Sequence, residues 1–101
     1  MKLIMIMSLA EHADGLRKLL SVQRIPVFSE LEMKGVKLES QLGDRENWFG
    51  HTRPAAFSNL ILAAVDDARA GELMTALSYF SKQSHSTAPI HALQLSVEQS
   101  A

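Results

Sequence analysis

Two stretches of the chain are apolar with almost no interruption: Lys2 to Met7, with LIMIM at its heart, and SNLILAAV, Ser58 to Val65. Each is too short for a helix and reads as a buried strand. The segment VFSELEMK alternates instead, with Val27, Leu31 and Met33 on one side and Glu30, Glu32 and Lys34 on the other. That pattern predicts a half-exposed strand near a sheet edge. The mixed segment PIHALQLSV reads as a last strand. Between the first two strands, Ala13, Leu16, Leu19 and Leu20 recur at helical spacing, while Arg17 and Lys18 fall elsewhere on the wheel. Ser8 with Glu11 three residues on has the form of a capping box for that helix, and Gly15 weakens it. After Val65, Asp66 or Asp67 is placed to cap a second helix, whose expected buried stripe is Ala68, Leu73, Ala76, Leu77 and Phe80. SKQSHSTAP then reads as a turn.

The element order is therefore β-α-β-β-α-β, the ferredoxin-like split arrangement. It predicts an α+β fold: a four-stranded antiparallel sheet with two helices on one face, in a single domain spanning residues 1–101. In this topology the first and third strands are central, and these are the two wholly apolar ones. Successive strand residues face opposite sides, so Leu3, Met5 and Met7 oppose Ile4 and Ile6, and Leu60, Leu62 and Ala64 oppose Ile61, Ala63 and Val65. Two helices cover one side only. The other would leave an apolar surface larger than a monomer usually exposes, which predicts self-association.

The charge balance narrows the function. Net charge is −1, charged residues make up 21% of the chain, and no block of like charge occurs. This argues against a nucleic-acid partner bound through its backbone. There is no cysteine, so disulfides and thiolate metal sites are excluded. No stretch approaches the length of a membrane span. MKLIMIMSLA has a faint likeness to a signal peptide, but it is short and Glu11 and His12 follow at once, so it reads as the first strand of a cytoplasmic protein. No nucleophile–base arrangement and no Walker or Rossmann glycine motif is present, and the chain reads as a non-enzyme.

The segment from about residue 35 to 55 joins the second and third strands, where a short turn would suffice. Loops of this length without structure of their own tend to serve a function. It holds the sole tryptophan, Trp48, beside Phe49. These aromatic residues either pack on their own domain or a neighbouring subunit, or order on a ligand or partner. Arg53, in HTRP, is a fork donor suited to a phosphate or carboxylate, or equally to an ion pair with an acidic residue. The histidines are His12, His51, His85 and His91, and none forms a metal pair at helical i, i+4 spacing. His51, His85 and His91 could converge between subunits on a divalent metal. Solvated histidines without a ligand are the commoner outcome, as is a solvated face for Glu30 and Glu32.

A βαββαβ chain of this length, with SELEMKG leading into a long loop, LILAAVDDARAGELMTAL after it and PIHALQLSVE closing, resembles the PII-like signalling proteins, in particular divergent members that accompany transport systems. The resemblance covers nearly the whole chain through strand patterns and Lys34-Gly35. It implies a homotrimer with its sheets packed inside, and a small ligand, such as ATP, ADP or another adenyl nucleotide, in clefts between subunits. Residues 35–55 would correspond to the T-loop, which engages a target protein such as a membrane transporter or efflux system. The residues implied for the cleft are Lys34, Gly35, Arg53 and His85, with Trp48 and Phe49 on the partner-binding loop. Nucleotide-binding members carry a glycine-rich, basic turn before the last strand. Here that turn, KQSHSTAP, has no glycine and only Lys82 and His85 as basic candidates, which weighs against a phosphate cradle. The loop also holds no tyrosine for uridylylation, because the sole one, Tyr79, lies on the second helix. A more distant similarity to CutA-type divalent-cation tolerance proteins, which share the trimeric plan, gives the alternative of metal binding by His51, His85 and His91.

Overall fold

The structure, a computed structural model, describes residues 1–36, 57–83 and 90–101. Its elements are β1 (Lys2–Ser8), a single 3-10 turn (Ala10–His12), α1 (Ala13–Val22), β2 (Ser29–Glu32), β3 (Asn59–Val65), α2 (Asp67–Gln83) and β4 (His91–Ser96). The strands form one antiparallel sheet in the order β2-β3-β1-β4. This is the ferredoxin-like α+β fold. The two apolar strands are the central pair and the two mixed strands are the edges.

The register places Ile4 opposite Ala63 and Gln94, and Ile6 opposite Ile61 and Ala92. Residues directly opposite share a face, so Ile4, Ile6, Ile61 and Ala63 lie together. They are buried with Leu16 and Leu20 of α1 and with Ala70, Leu73 and Leu77 of α2. Both helices therefore cover the same face. Full burial of each large aliphatic side chain contributes about 1.5–3 kcal/mol, so this layer carries most of the stability of one chain.

Gly15, an unfavourable residue inside a helix, has a packing reason. A Cβ built there would stand 3.1 Å from two ring carbons of Phe80. The glycine lets α1 and α2 approach over that ring.

Three expectations are corrected. The capping box at Ser8 and Glu11 does not form. Ser8 is the last residue of β1, fully buried opposite Asn59; its hydroxyl donates to the Leu9 carbonyl and its own carbonyl accepts from the Ser58 amide. Strand pairing holds it, and α1 is entered through the 3-10 turn. In α2 the buried stripe runs through Ala70 and not Ala68, which is exposed. The start of the predicted turn at Ser81 is the last part of α2, which runs to Gln83. The cap on α2 is as expected: the Asp66 carboxylate accepts from the Arg69 amide at 2.8 Å.

The end of α1 is closed by a motif the sequence hides. The Ile25 amide donates to the Leu20 carbonyl and the Arg24 amide to the Ser21 carbonyl. Arg24 has φ 61°, the left-handed region. This is a Schellman motif, with buried Ile25 as its apolar clasp, and its left-handed position is usually glycine. The Arg24 carbonyl is in turn held by the Arg69 guanidinium, so the backbone is pinned in a conformation that strains a side-chain-bearing residue. Left-handed geometry costs a non-glycine residue about 1–2 kcal/mol, and glycine loses about 0.5–1 kcal/mol more in backbone entropy. The variant Arg24→Gly is therefore expected to be more stable by about 0.5–1 kcal/mol. Thermal melting at fixed protein concentration checks this, as a rise of a few degrees.

Candidate functional site

The root of the long connection is built by backbone pairing. Beyond the last bridge of β2 and β3, the Met33 amide donates to the Ser58 carbonyl at 3.0 Å and the Gly35 amide to the Phe57 carbonyl at 3.3 Å. The strand pairing thus continues to Gly35. Phe57 is 4% exposed and anchors the returning strand. Lys34, a sequence-predicted ligand residue, is exposed on this root, and Gly35 is partly buried beside it.

On the opposite edge, β4 begins at His91. Its register row crosses the whole sheet: His91 opposes Met7, Met7 opposes Leu60, and Leu60 opposes Leu31. Three strand spacings separate the edges, on the order of 14 Å. Lys34 and Gly35 follow β2 on one edge, and His91 stands on the other. One chain does not bring them together. Trp48, Phe49, His51, Arg53 and His85 lie outside the described residues, as does most of the loop about 35–55.

The face away from the helices is apolar across its centre, with Ser29 at the β2 end of one row, His91 at the β4 end of another, and Met7 buried within it. Leu3, Ala64 and Leu95 form one row, Met5, Leu62 and Leu93 the next, and Met7, Leu60 and Leu31 the third. Leu31 is 45% and Leu95 44% exposed, and Leu3, Met5, Leu60, Leu62 and Leu93 are partly exposed. Three rows of three strands each project to an area on the order of 300 Å². A contiguous apolar patch of that size commonly marks an interaction surface.

Compared with models of known protein families and with curated proteins, the chain matches none.

The paired glutamates of β2 have different roles. Glu30 projects to the helix side, where Arg17 of α1 grips it with two hydrogen bonds, Nε to Oε1 at 2.8 Å and Nη2 to Oε2 at 2.7 Å. Arg17 also donates from Nη1 to Asp14, one turn earlier on α1. The hydrogen bond from Arg17 holds the Glu30 carboxyl below its ordinary value, and the same bond raises Arg17. Bidentate geometry makes this stronger than a plain surface pair. It fixes the outer edge strand to α1. Glu30 is thereby a structural residue and not one half of a cation site with Glu32. Among the described residues no group of three histidine, aspartate or glutamate side chains is placed to hold a metal. No helix among them is long and apolar enough to cross a membrane.

The sequence reading overlooked two positions. Arg17 was visible only as a charge off the apolar stripe, since its partner on β2 depends on how α1 docks. Asn59 gave a clearer sign, as the one amide opening an otherwise apolar strand. It is 5% exposed, and its Nδ2 is buried without a hydrogen-bond partner.

The Arg17–Glu30 clamp makes stability pH-dependent. Because the folded state lowers the glutamate's affinity for a proton, the contribution is present above the ordinary value of 4.5 and is lost as pH falls through the lowered one. Wild type is expected to melt above Glu30→Gln at pH 7. The gap should begin to close below about pH 4.5 and vanish at lower pH, as read by thermal melting across a pH series.

Proposed function

We propose that this chain is a PII-like trimeric regulatory protein of the cytoplasm, whose residues 35–55 engage a target protein under control of a small ligand. The observation that carries the reading is the apolar sheet face. It is built from residues of all four strands, and no helix among the described residues covers it. Sheets packed together inside a trimer would bury it. The same packing would set the β2 edge of one subunit beside the β4 edge of another, which suits a cleft composed of Lys34 and Gly35 from one chain and the His85 turn from the next. The distance across one sheet supports this, because Lys34 and Gly35 follow β2 on one edge while β4 begins at His91 on the other, too far apart to share a site within a single chain.

In this reading the ligand acts by population shift. It stabilises whichever arrangement of residues 35–55 gives it more contacts, and the target selects between arrangements. The Gly35–Phe57 and Met33–Ser58 pairings give that segment a rigid root. A change in the segment can therefore leave the sheet undisturbed. The resemblance points to an adenyl nucleotide or, in the alternative, a divalent metal as the ligand, and to a transport-related protein as the target.

Assembly is tested first. Analytical ultracentrifugation at micromolar concentration is expected to give three times the monomer mass, and Leu62→Glu, in the middle of the open face, a monomer. A monomeric wild type would refute the reading. Removing residues 38–50 should leave the trimer intact and abolish capture of the target; a shortened protein that still bound it with full affinity would remove the assigned role.

Ligand class is tested through Trp48, the sole tryptophan. A saturable change in its fluorescence with ATP, ADP or a cyclic nucleotide supports the sensor. A change with divalent metal alone would favour metal binding through His51, His85 and His91.

A further inference from the structure

The two edges of the sheet are defended differently. Strand β2 is short, Ser29–Glu32, and carries Glu30 and Glu32. Brevity and charge keep an open strand from pairing with other chains. Strand β4 has neither defence. It runs for 6 residues, His91–Ser96, without a lysine, arginine, aspartate, glutamate or proline, and its Gln94, Leu95 and Ser96 are exposed. Among the described residues it pairs with β1 alone.

The ladder fixes which backbone groups are left over. One step past the Lys2–Ser96 pair, the Val97 amide donates to the Met1 carbonyl at 3.2 Å, so Met1 and Val97 form a hydrogen-bonded pair. Such pairs alternate along an antiparallel ladder. His91, Leu93 and Leu95 therefore exchange hydrogen bonds with β1, while the amides and carbonyls of Ala92, Gln94 and Ser96 point away from it. Among the described residues no strand meets them. Their side chains lie on the helix side, because Ala92 opposes Ile6 and Gln94 opposes Ile4.

That side holds a cavity next to the open edge. Between α2 and the start of β4 lies a space of about 260 Å³, floored by Met74, Leu77, Ile90 and Ala92 and rimmed by Ser78 and Lys82. The volume falls below the roughly 300–1,000 Å³ of small-molecule sites and suits a single inserted side chain. Lys82, exposed at the rim, supplies a positive charge.

An open edge beside a pocket is how sheets bind extended peptides: main-chain hydrogen bonds give affinity, and the pocket selects a side chain. A second copy of the chain does not fill this one. Another β4 offers only alanine, glutamine and serine on its helix side, and another β2 offers Glu30 and Glu32, which an apolar floor rejects. We propose that the β4 edge binds an extended segment of a different protein by strand addition. The segment runs antiparallel to β4. It places an aliphatic side chain opposite Ala92, where it enters the cavity, and an acidic residue two positions later, opposite Ile90 and beside Lys82. This inference goes beyond the regulatory reading and uses the residues of one chain.

A fluorescein-labelled seven-residue peptide tests it, alternating threonine and valine but with leucine fifth and glutamate seventh. Fluorescence polarisation with the full chain is expected to show saturable binding. Methylating the amide nitrogen of the third residue, which faces Gln94, should weaken binding about tenfold or more through the lost hydrogen bond and the methyl group lodged in the ladder. Methylating the fourth, which faces away, should leave affinity within about twofold. Gln94→Pro removes an outward amide and spares the bonds to β1, an exchange that edge strands tolerate. It should weaken binding about tenfold while the protein stays folded. If Gln94→Pro fails to fold, the two methylated peptides carry the test. Lys82→Glu should weaken the glutamate peptide and leave a glutamine version unaltered. Absence of saturable binding would overturn the proposal. So would equal losses from the two methylations, or undiminished binding when lysine replaces the leucine.

Discussion

The antiparallel pairing of β1 with β3 is the constraint on which everything else depends. Both strands are apolar on both faces, and together they form the centre of a four-stranded sheet. The helix side of that pair gathers Ile4, Ile6, Ile61 and Ala63 into the core with α1 and α2. The other side presents Leu3, Met5, Leu60 and Leu62 in rows that reach both edges. Two helices cannot cover two faces. Among the described residues nothing covers the second face, and the proposed trimer is a means of burying it.

Around that centre the peripheral elements are held by polar devices placed where the packing is thin. The outer strand β2 is short and tied to α1 by the Arg17–Glu30 clamp. α1 is closed by a Schellman motif strained at Arg24 and gripped by Arg69, and α2 is opened by the Asp66 cap. Gly15 and Phe80 set how closely the helices approach. The region where α1 begins is built differently. There a carboxylate-rich cavity and an unpartnered buried amide coexist, a combination that does nothing for stability.

The proposed regulatory role uses the sheet edges and the long connection, and is completed only by neighbouring subunits. Met33 and Ser58, whose backbones pair at the root of the connection, tie that segment to the sheet.

Periodicity alone determined a great deal. Unbroken apolar runs marked β1 and β3 as central, alternation marked β2 as an edge, and the stripe at Leu16 and Leu20 placed α1 against the sheet. These signals are local, repeat every two or 3.6 residues, and each agrees with the others. The devices that tertiary structure decided are those whose partners are distant in sequence. Ser8 looked like a helix cap because Glu11 follows it, yet strand pairing with Asn59 claimed it first. Glu30 and Glu32 looked equivalent, and docking of α1 gave one an arginine and left the other facing a cavity. Asn59 became a buried donor without an acceptor only once β3 was paired between β1 and β2. A side chain's chemistry is written in the sequence, but its partners depend on which surfaces meet, and that is settled by burial of the whole core at once.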